Sequence, residues 1–536
     1  MSRTISIFDT TLRDGMQGIE ISYTLDDKLQ IARRLDEIGI DYIEGGFPLS
    51  NKKEAEFFTR IKSMSIKHAR IASFGSTRKA GGKAESDAQI RALLEAETDT
   101  VVIVGKTWTE HVHKVLGTDL EENLRMISDS ISFLKKEERE VIFDMEHFFD
   151  GWKDNKDYAL RVLQAGKEAG ADVLVCCDTN GGTLPHEVTA IYKELSGAGY
   201  TNLGGHFHND CGTAVANSIT AVHHGAMHIQ GTINGWGERC GNANLCEIIP
   251  NLILKMGYKA YCEKNMKHLT ALSRFVAEKA NIIPEKRQAF VGIAAFAHKA
   301  GQHADVILKA PRLMEHMDGS LVGNSRQVLL SELAGKSTIV EKLRKYGNYD
   351  KNSSVVKTLI ETLKHKENEG YEYEAAEGSF DILVRRALGT YRPFVQLKNY
   401  HLESYKTTHL QSSTIGRMFL DDAGTEIMGA AVGIGPVETL DAALRNALGP
   451  HYPELEKIRL IDYRVRVLNP ESASAAKVRV FITSSDGTED WGTVGVNENI
   501  VEASWEALLD SFEYFLNKQT DSRRKVFHGE HPNSIS

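Results

Sequence analysis

Between residues 5 and 257, short β-rich runs alternate eight times with helix-period segments, an arrangement that few folds accommodate. The runs are 5–8, 42–44, 70–74, 100–104, 140–143, 172–175, 202–206 and 228–231. Amphipathic stretches such as 26–39 and 155–170 lie between them, their apolar residues returning at the helical period. Eight βα units in about 250 residues is the arithmetic of a closed (β/α)8 TIM barrel. An open doubly wound sheet is the competing solution, but it requires a glycine-rich phosphate loop after an early strand. Asp9-Thr10-Thr11-Leu12-Arg13-Asp14-Gly15 is not such a loop.

A barrel of this kind gathers its active site at the C-terminal ends of its strands. That rim receives Arg13 and Asp14, then Glu44, Glu146 with His147, Asp178-Thr179-Asn180, His206 with His208, and the loop 235–242. Each taken alone is ordinary turn or cap chemistry. Their convergence predicts one polar site.

The most loaded stretch is His206-Phe207-His208-Asn209-Asp210. In an extended segment residues i and i+2 share a face, so both imidazoles reach one metal ion. A lone histidine at a strand end is more often a hydrogen-bonded rim residue. Asp14 is the best third ligand, because closure brings the first strand beside the eighth and near the seventh. Asn242 adds a carbonyl oxygen from the last loop. The expected cofactor is a divalent cation (Mn, Mg, Zn or Co) with positions left open for substrate oxygens. Arg13 beside it offers a planar fork for a carboxylate or a developing oxyanion. A 2-oxo acid suits this set, since its carboxylate and keto oxygen chelate together. A second pair, His111 and His113, leads into a helix-like segment where i and i+2 diverge, and is expected in a loop on the surface, with an approach of His111 to the site left open.

The formal charge of −9, without a basic block, argues against nucleic acid or an anionic membrane as partner. Six cysteines without CxxC spacing, two of them adjacent at Cys176-Cys177, read as reduced cytosolic thiols. No basic, then apolar, leader opens the chain and no apolar run is long enough to span a membrane, so a soluble cytoplasmic protein is expected. The pattern assigns 1–270 to the barrel, 271–377 to a helical connector, 378–519 to a separate α+β domain, and 520–536 to a polar, frayed tail. In the third segment Gly424-Thr425-Glu426 with Gly429 recurs as Gly487-Thr488-Glu489 with Gly492, each copy preceding a helix (437–448 and 500–516). The shift of 63 predicts two βββα units forming one α+β module.

Asp9 to Gln17, the His206-x-His208-Asn209-Asp210 run and Gly237-Glu238-Arg239-Cys240-Gly241-Asn242 together resemble the 2-isopropylmalate, homocitrate and citramalate synthase family. Tyr42 to Pro48, Phe143 to Gly151 and Trp491 to Val496 look most like its citramalate synthase branch. Met16 stands where the isopropylmalate branch usually carries an acidic residue, so the chain departs from that branch; 2-isopropylmalate synthesis from 2-oxoisovalerate is the alternative, to be decided by pocket volume around the keto acid. The resemblance implies a Claisen-type condensation of acetyl-CoA with pyruvate and hydrolysis of the thioester, for isoleucine synthesis. A base must then sit near a weakly acidic methyl group. His303 is the first choice for that base or its proton relay, against a plain N-cap or interface role, with His298 and Glu146 next. Glu146 is also suited to orient the acetyl group or the attacking water. Thr179 is assigned to the pyruvate carboxylate, with Arg13 and Gln17 in the same substrate-binding set. Gly235, Gly237 and Gly241 permit close backbone approach to acetyl-CoA, although such glycines also serve turns alone. The C-terminal module resembles the family's regulatory domain, which implies a homodimer with isoleucine as effector.

Overall fold

A strand whose two faces are both covered reads as a near-continuous apolar run, and the eight runs of the first half do so because they close on one another. They are β1 (Ser6–Asp9), β2 (Tyr42–Gly46), β3 (Arg70–Ser76), β4 (Thr100–Lys106), β5 (Glu140–Glu146), β6 (Val173–Asp178), β7 (Leu203–Phe207) and β8 (His228–Gly231). The computed structural model describes residues 4–298, 310–328, 336–373, 375–406, 412–422, 424–468 and 476–527. In it these strands form a closed parallel barrel, in which β1 pairs with both β2 and β8. The TIM barrel expected from the alternation is the fold observed.

Successive side chains in each strand point alternately out and in. Outward residues such as Ile7, Ile43, Ile103, Phe143 and Leu174 share one core with helix residues including Leu35, Leu93, Ile131 and Val162. Inward residues Phe8, Ala72, Val102, Ile142, Val175 and Cys177 form a separate apolar cluster along the barrel axis. The next inward positions toward the C-terminal rim are polar: Glu44, Asp144, His206 and Gln230, all buried. This change of chemistry along the axis sets the floor of the site. The surrounding helices start and stop on local signals. The helix Leu25–Ile38 opens on a capping box between Thr24 and Asp27, and Gly39, at φ 94°, closes it in the left-handed region.

The chain divides into two compact units, Met1–Phe296 with Met317–Arg326, and Ala297–His316 with Gln327–Ser536. In the second unit β9 (Ala297–His298) and β10 (Gln327–Val328) make a short parallel pair. The helices Ser354–Glu369 and Glu377–Ala387 follow. Two antiparallel sheets come next, β11 (Gln396–Tyr405), β12 (Ser413–Asp422) and β13 (Thr425–Gly433), then β14 (Arg459–Val467), β15 (Val478–Ser485) and β16 (Asp490–Asn497). Each is followed by a helix, Pro436–Leu448 and Ile500–Phe527.

The duplication read from the glycine turns extends to an irregularity. The register slips between Leu397 and Asn399 in the first sheet and between Leu460 and Asp462 in the second, again 63 residues apart. Bulges are designed features of a strand pair, so a repeated bulge argues for a repeated unit more strongly than a turn does. Met418, Leu420, Leu440 and Leu444 of one copy share a core with Val480, Ile482, Leu508 and Phe512 of the other. The last helix does not end at Leu516 but runs on to Phe527. Its apolar stripe stops near Leu516, and the polar turns beyond it continue on helix propensity. Among the described residues no helix is long and apolar enough to cross a membrane.

Candidate metal and active site

Asp14 sits in the turn after β1, and His206 and His208 lie at the end of β7. Parallel pairing of β1 with β8, and of β8 with β7, brings the three together. The His206 Nε2 is 3.5 Å and the His208 Nε2 3.8 Å from Asp14 Oδ2. One ligand atom from each of the three lies within 4.8 Å of the others, and all three residues are buried. His208 also pairs through its backbone with Asn242, which places the asparagine side chain at the same spot.

The electrostatics suit a cation. Burial alone would raise the Asp14 carboxyl, but the interactions around it, led by the Arg13 guanidinium, outweigh burial and hold it below its ordinary value. Burial lowers His206 to about 3, with His208 adding to the effect, and lowers His208 as well. Both shifts favour the neutral imidazole, the form that offers a lone pair. Asp14 Oδ1, Asn242 Oδ1 and His208 Nδ1 are buried with no hydrogen-bond partner among the described residues. Two orphaned oxygens beside two neutral imidazoles fit a hard or borderline divalent ion.

Arg13 is held on three sides. Its Nε donates to Glu44 Oε2 at 2.7 Å, its Nη1 lies 3.3 Å from Asp14 Oδ2, and its guanidinium stacks 3.9 Å from the centre of the Phe74 ring. Nη2 has no hydrogen-bond partner among the described residues. Thr10 Oγ1 also donates to Glu44 Oε2. Burial raises the Glu44 carboxyl despite these partners, and raises Asp144 to about 8 with help from Glu44.

Thr179 lies just beyond β6, and its Oγ1 accepts the backbone N–H of His147 at 2.9 Å. Its carbonyl accepts Arg239 Nη2 at 2.6 Å, and Arg239 also grips Asp210, so the loops after β6, β7 and β8 are tied together. Glu146 ends β5 and forms an ion pair with Lys106 of β4. Gly237 and Gly241 are required by close approach. A Cβ at Gly237 would fall 2.1 Å from Asn242 Nδ2, and one at Gly241, where φ is 89°, 2.1 Å from the Gly235 carbonyl. A cavity of about 590 Å3 opens along this loop, lined by Asn234, Trp236, Cys240, Asn242, Glu247 and Gln288. Gln17 is exposed in the 3-10 turn Gly15–Gln17. His303 lies outside the described residues. His298 Nε2 lies within hydrogen-bond distance of Glu315 Oε1, at 3.2 Å, within the second unit.

The two histidines after β4 separate, and His111 takes the approach to the rim that the sequence left open. It is half-buried, stacks on Trp108 at 5.3 Å and sits 4.2 Å from the His147 ring, while His113 is exposed as expected. The segment after β4 coils into a helical turn and a π-helix, and the packing of that turn on the β5 loop draws His111 inward.

The sequence reading placed His147 on the rim but not its pairing with Asp150, and it gave Gln230 and Asp144 no role. His147 takes a left-handed backbone at φ 56°, and its Nδ1 pairs with Asp150 Oδ2 at 2.9 Å, which Asn180 also contacts. The Glu-His-x-x-Asp spacing was the available signal, because i and i+3 meet on a helical turn. Gln230 and Asp144, the latter inside an otherwise apolar strand, form a hydrogen-bonded pair at 2.9 Å under His206. A polar residue at an inward position of a barrel strand marked each of them.

Residues 4–276 match the HMGL-like family, 290–370 the homocitrate synthase post-HMGL domain-like family, and 374–516 the LeuA allosteric (dimerisation) domain. The (R)-citramalate synthase of Aquifex aeolicus (strain VF5) is 47% identical over 97% of this chain and 99% of its own length. The (R)-citramalate synthase of Geobacter sulfurreducens is 48% identical over 96% and 98%. A 2-isopropylmalate synthase of Methanocaldococcus jannaschii is 28% identical over 96% of this chain and 95% of its own length. With 47–48% identity to the Aquifex and Geobacter proteins over almost the whole chain, this chain belongs to the (R)-citramalate synthase family.

Proposed function

We propose that this chain condenses acetyl-CoA with pyruvate and hydrolyses the resulting thioester, releasing (R)-citramalate and CoA. The observation that carries the reading is near-half identity to two (R)-citramalate synthases over almost the whole chain, joined to the buried set Arg13, Asp14, His206 and His208.

Asp14, His206 and His208, with the Asn242 carbonyl, would hold a divalent cation, which when bound polarises the keto group of the 2-oxo acid. Arg13 presents its free Nη2 to the oxygen on which charge develops, and Glu44 and Phe74 keep its plane fixed. Thr179 donates its hydroxyl to the substrate carboxylate. A base removes one proton from the acetyl methyl group, and the enolate carbon attacks the keto carbon of pyruvate. The resulting alkoxide takes up a proton, and water then attacks the thioester carbonyl to expel CoA. Glu146 orients the acetyl group or that water, and His303 remains the proposed base or relay. The cavity along 235–242 receives the acyl arm of acetyl-CoA. Gln17 at the rim contacts substrate.

The proposal extends to regulation. The duplicated module, matched to a LeuA allosteric (dimerisation) domain, supports a homodimer whose effector is isoleucine. The six free cysteines support a reducing, cytoplasmic setting.

Purified protein given acetyl-CoA with pyruvate, 2-oxobutyrate, 2-oxoisovalerate or 2-oxoglutarate separately is expected to release CoA fastest with pyruvate. Preference for 2-oxoisovalerate would replace the reading with 2-isopropylmalate synthesis. Isoleucine inhibition that rising pyruvate relieves would remove the regulatory part.

A further inference from the structure

His206 points Nε2 at Asp14, and its other ring nitrogen, Nδ1, lies 2.9 Å from Gln230 Oε1. Gln230 Nε2 donates in turn to Asp144 Oδ1 at 2.9 Å. All three side chains are buried, at 5%, 0% and 3% exposure. The parallel register of β7 and β8 runs Gly204 beside His228 and Gly205 beside Ile229, which sets His206 next to Gln230. The spacing is thus fixed by backbone pairing.

An amide has one donor end and one acceptor end, so this chain of bonds has a direction. Asp144 Oδ1 accepts the Nε2 end, as a carboxylate oxygen or as the carbonyl oxygen of a protonated carboxyl, and leaves Oε1 facing the imidazole, where only an N–H satisfies it. The single proton of neutral His206 must then sit on Nδ1. Its Nε2 carries a lone pair aimed at the Asp14 side. A reversed amide would set N–H against Nδ1, require the lone pair there, and place the imidazole proton on Nε2, where it blocks a metal. His208 has no such lock, since its Nδ1 is buried without a partner among the described residues.

We propose that Asp144 and Gln230 form a directional relay that holds His206 in its metal-binding tautomer. They are positioning residues, acting through His206. The inference rests on the reading that Asp14, His206 and His208 hold a divalent cation.

The test uses the full-length chain with Mn2+ as probe and free Mn2+ measured by electron paramagnetic resonance. Gln230→Leu is expected to weaken Mn2+ binding roughly 10- to 100-fold, the usual cost of losing the partner of a ligating histidine. The paired exchange Asp144→Asn with Gln230→Glu keeps one carboxyl and one amide in the pair and the direction of the bonds. The carboxylate introduced at position 230 accepts both the amide introduced at position 144 and the His206 Nδ1–H, and binding within about threefold of the unchanged protein is expected. Undiminished binding by folded Gln230→Leu overturns the relay. So does a folded paired exchange that binds Mn2+ roughly 10-fold or more weakly, on the scale expected for a lost relay, and this variant decides alone if Gln230→Leu does not fold. An unchanged protein that binds no Mn2+ overturns the cation reading itself, and the relay with it.

Discussion

The backbone N–H of His147, at the end of β5, donates to the side-chain oxygen of Thr179, beyond β6, at 2.9 Å. That acceptance decides where the threonine hydroxyl hydrogen goes, because it cannot point back along the same line. The left-handed turn of His147, pinned by Asp150, holds the donor in place. Thr179 therefore presents its O–H to another acceptor. Thr179→Val keeps the shape and removes that donor. It should lower kcat/KM for pyruvate roughly 10- to 100-fold, the scale of a hydrogen bond to a charged group, while Thr179→Ser retains most of it. Steady-state kinetics check this, and equal values for Val and Thr would remove the contact with substrate.

Removing either imidazole from the Asp14 cluster should release the cation and abolish turnover without unfolding the barrel. His206→Ala and His208→Ala are each expected to show loss of metal by elemental analysis, an unchanged circular dichroism spectrum and no release of CoA. Full activity in metal-free His206→Ala protein would falsify the metal site.

Arg13 is both bonded to Glu44 and stacked on Phe74, so its plane matters as well as its charge. Arg13→Lys keeps the charge and loses the fork. A fall in kcat of roughly two to three orders of magnitude is expected, as when one oxyanion donor is removed. Near-normal turnover with a lowered melting temperature would assign the arginine to the fold alone.

His228 is an inward residue of β8, buried beside Phe8 and Tyr42 with Ser6 Oγ 3.0 Å from its Nδ1. Burial lowers its pKa from 6.5 to about 3. The unfolded chain therefore binds a proton that the folded chain refuses between those two values, and stability drops as pH falls through 6.5. The slope is about 1.4 kcal/mol per pH unit from this one group. Between about pH 7 and pH 5 the unchanged protein should lose about 2 kcal/mol more than His228→Phe, in which the ring is kept and the titration removed. Urea denaturation of the barrel at the two pH values tests this, and parallel losses in both proteins would show that His228 is solvated.

The alternation of eight strands and helices was legible in the chain because period and length are local properties, and a closed barrel is the economical way to cover both faces of eight short parallel strands. The metal cluster was legible for a related reason. His206 and His208 share a strand face by the two-residue period, and barrel closure alone sets Asp14 beside them. The repeat at 424 and 487 was visible for the same local reason, since a left-handed turn asks for glycine in both copies. Tertiary structure decided the rest. Gln230 and Asp144 lie 86 residues apart and meet only across the barrel axis, so no spacing along the chain could pair them. Of the two places open to His111, surface or rim, the stack offered by Trp108 and His147 selects the rim, and the hydroxyl direction of Thr179 depends on a backbone donor 32 residues earlier. Periodicity shows which face a side chain occupies; only the closed fold shows which polar partner waits on that face, because burial makes each unpaired donor or acceptor costly and so selects the pairs.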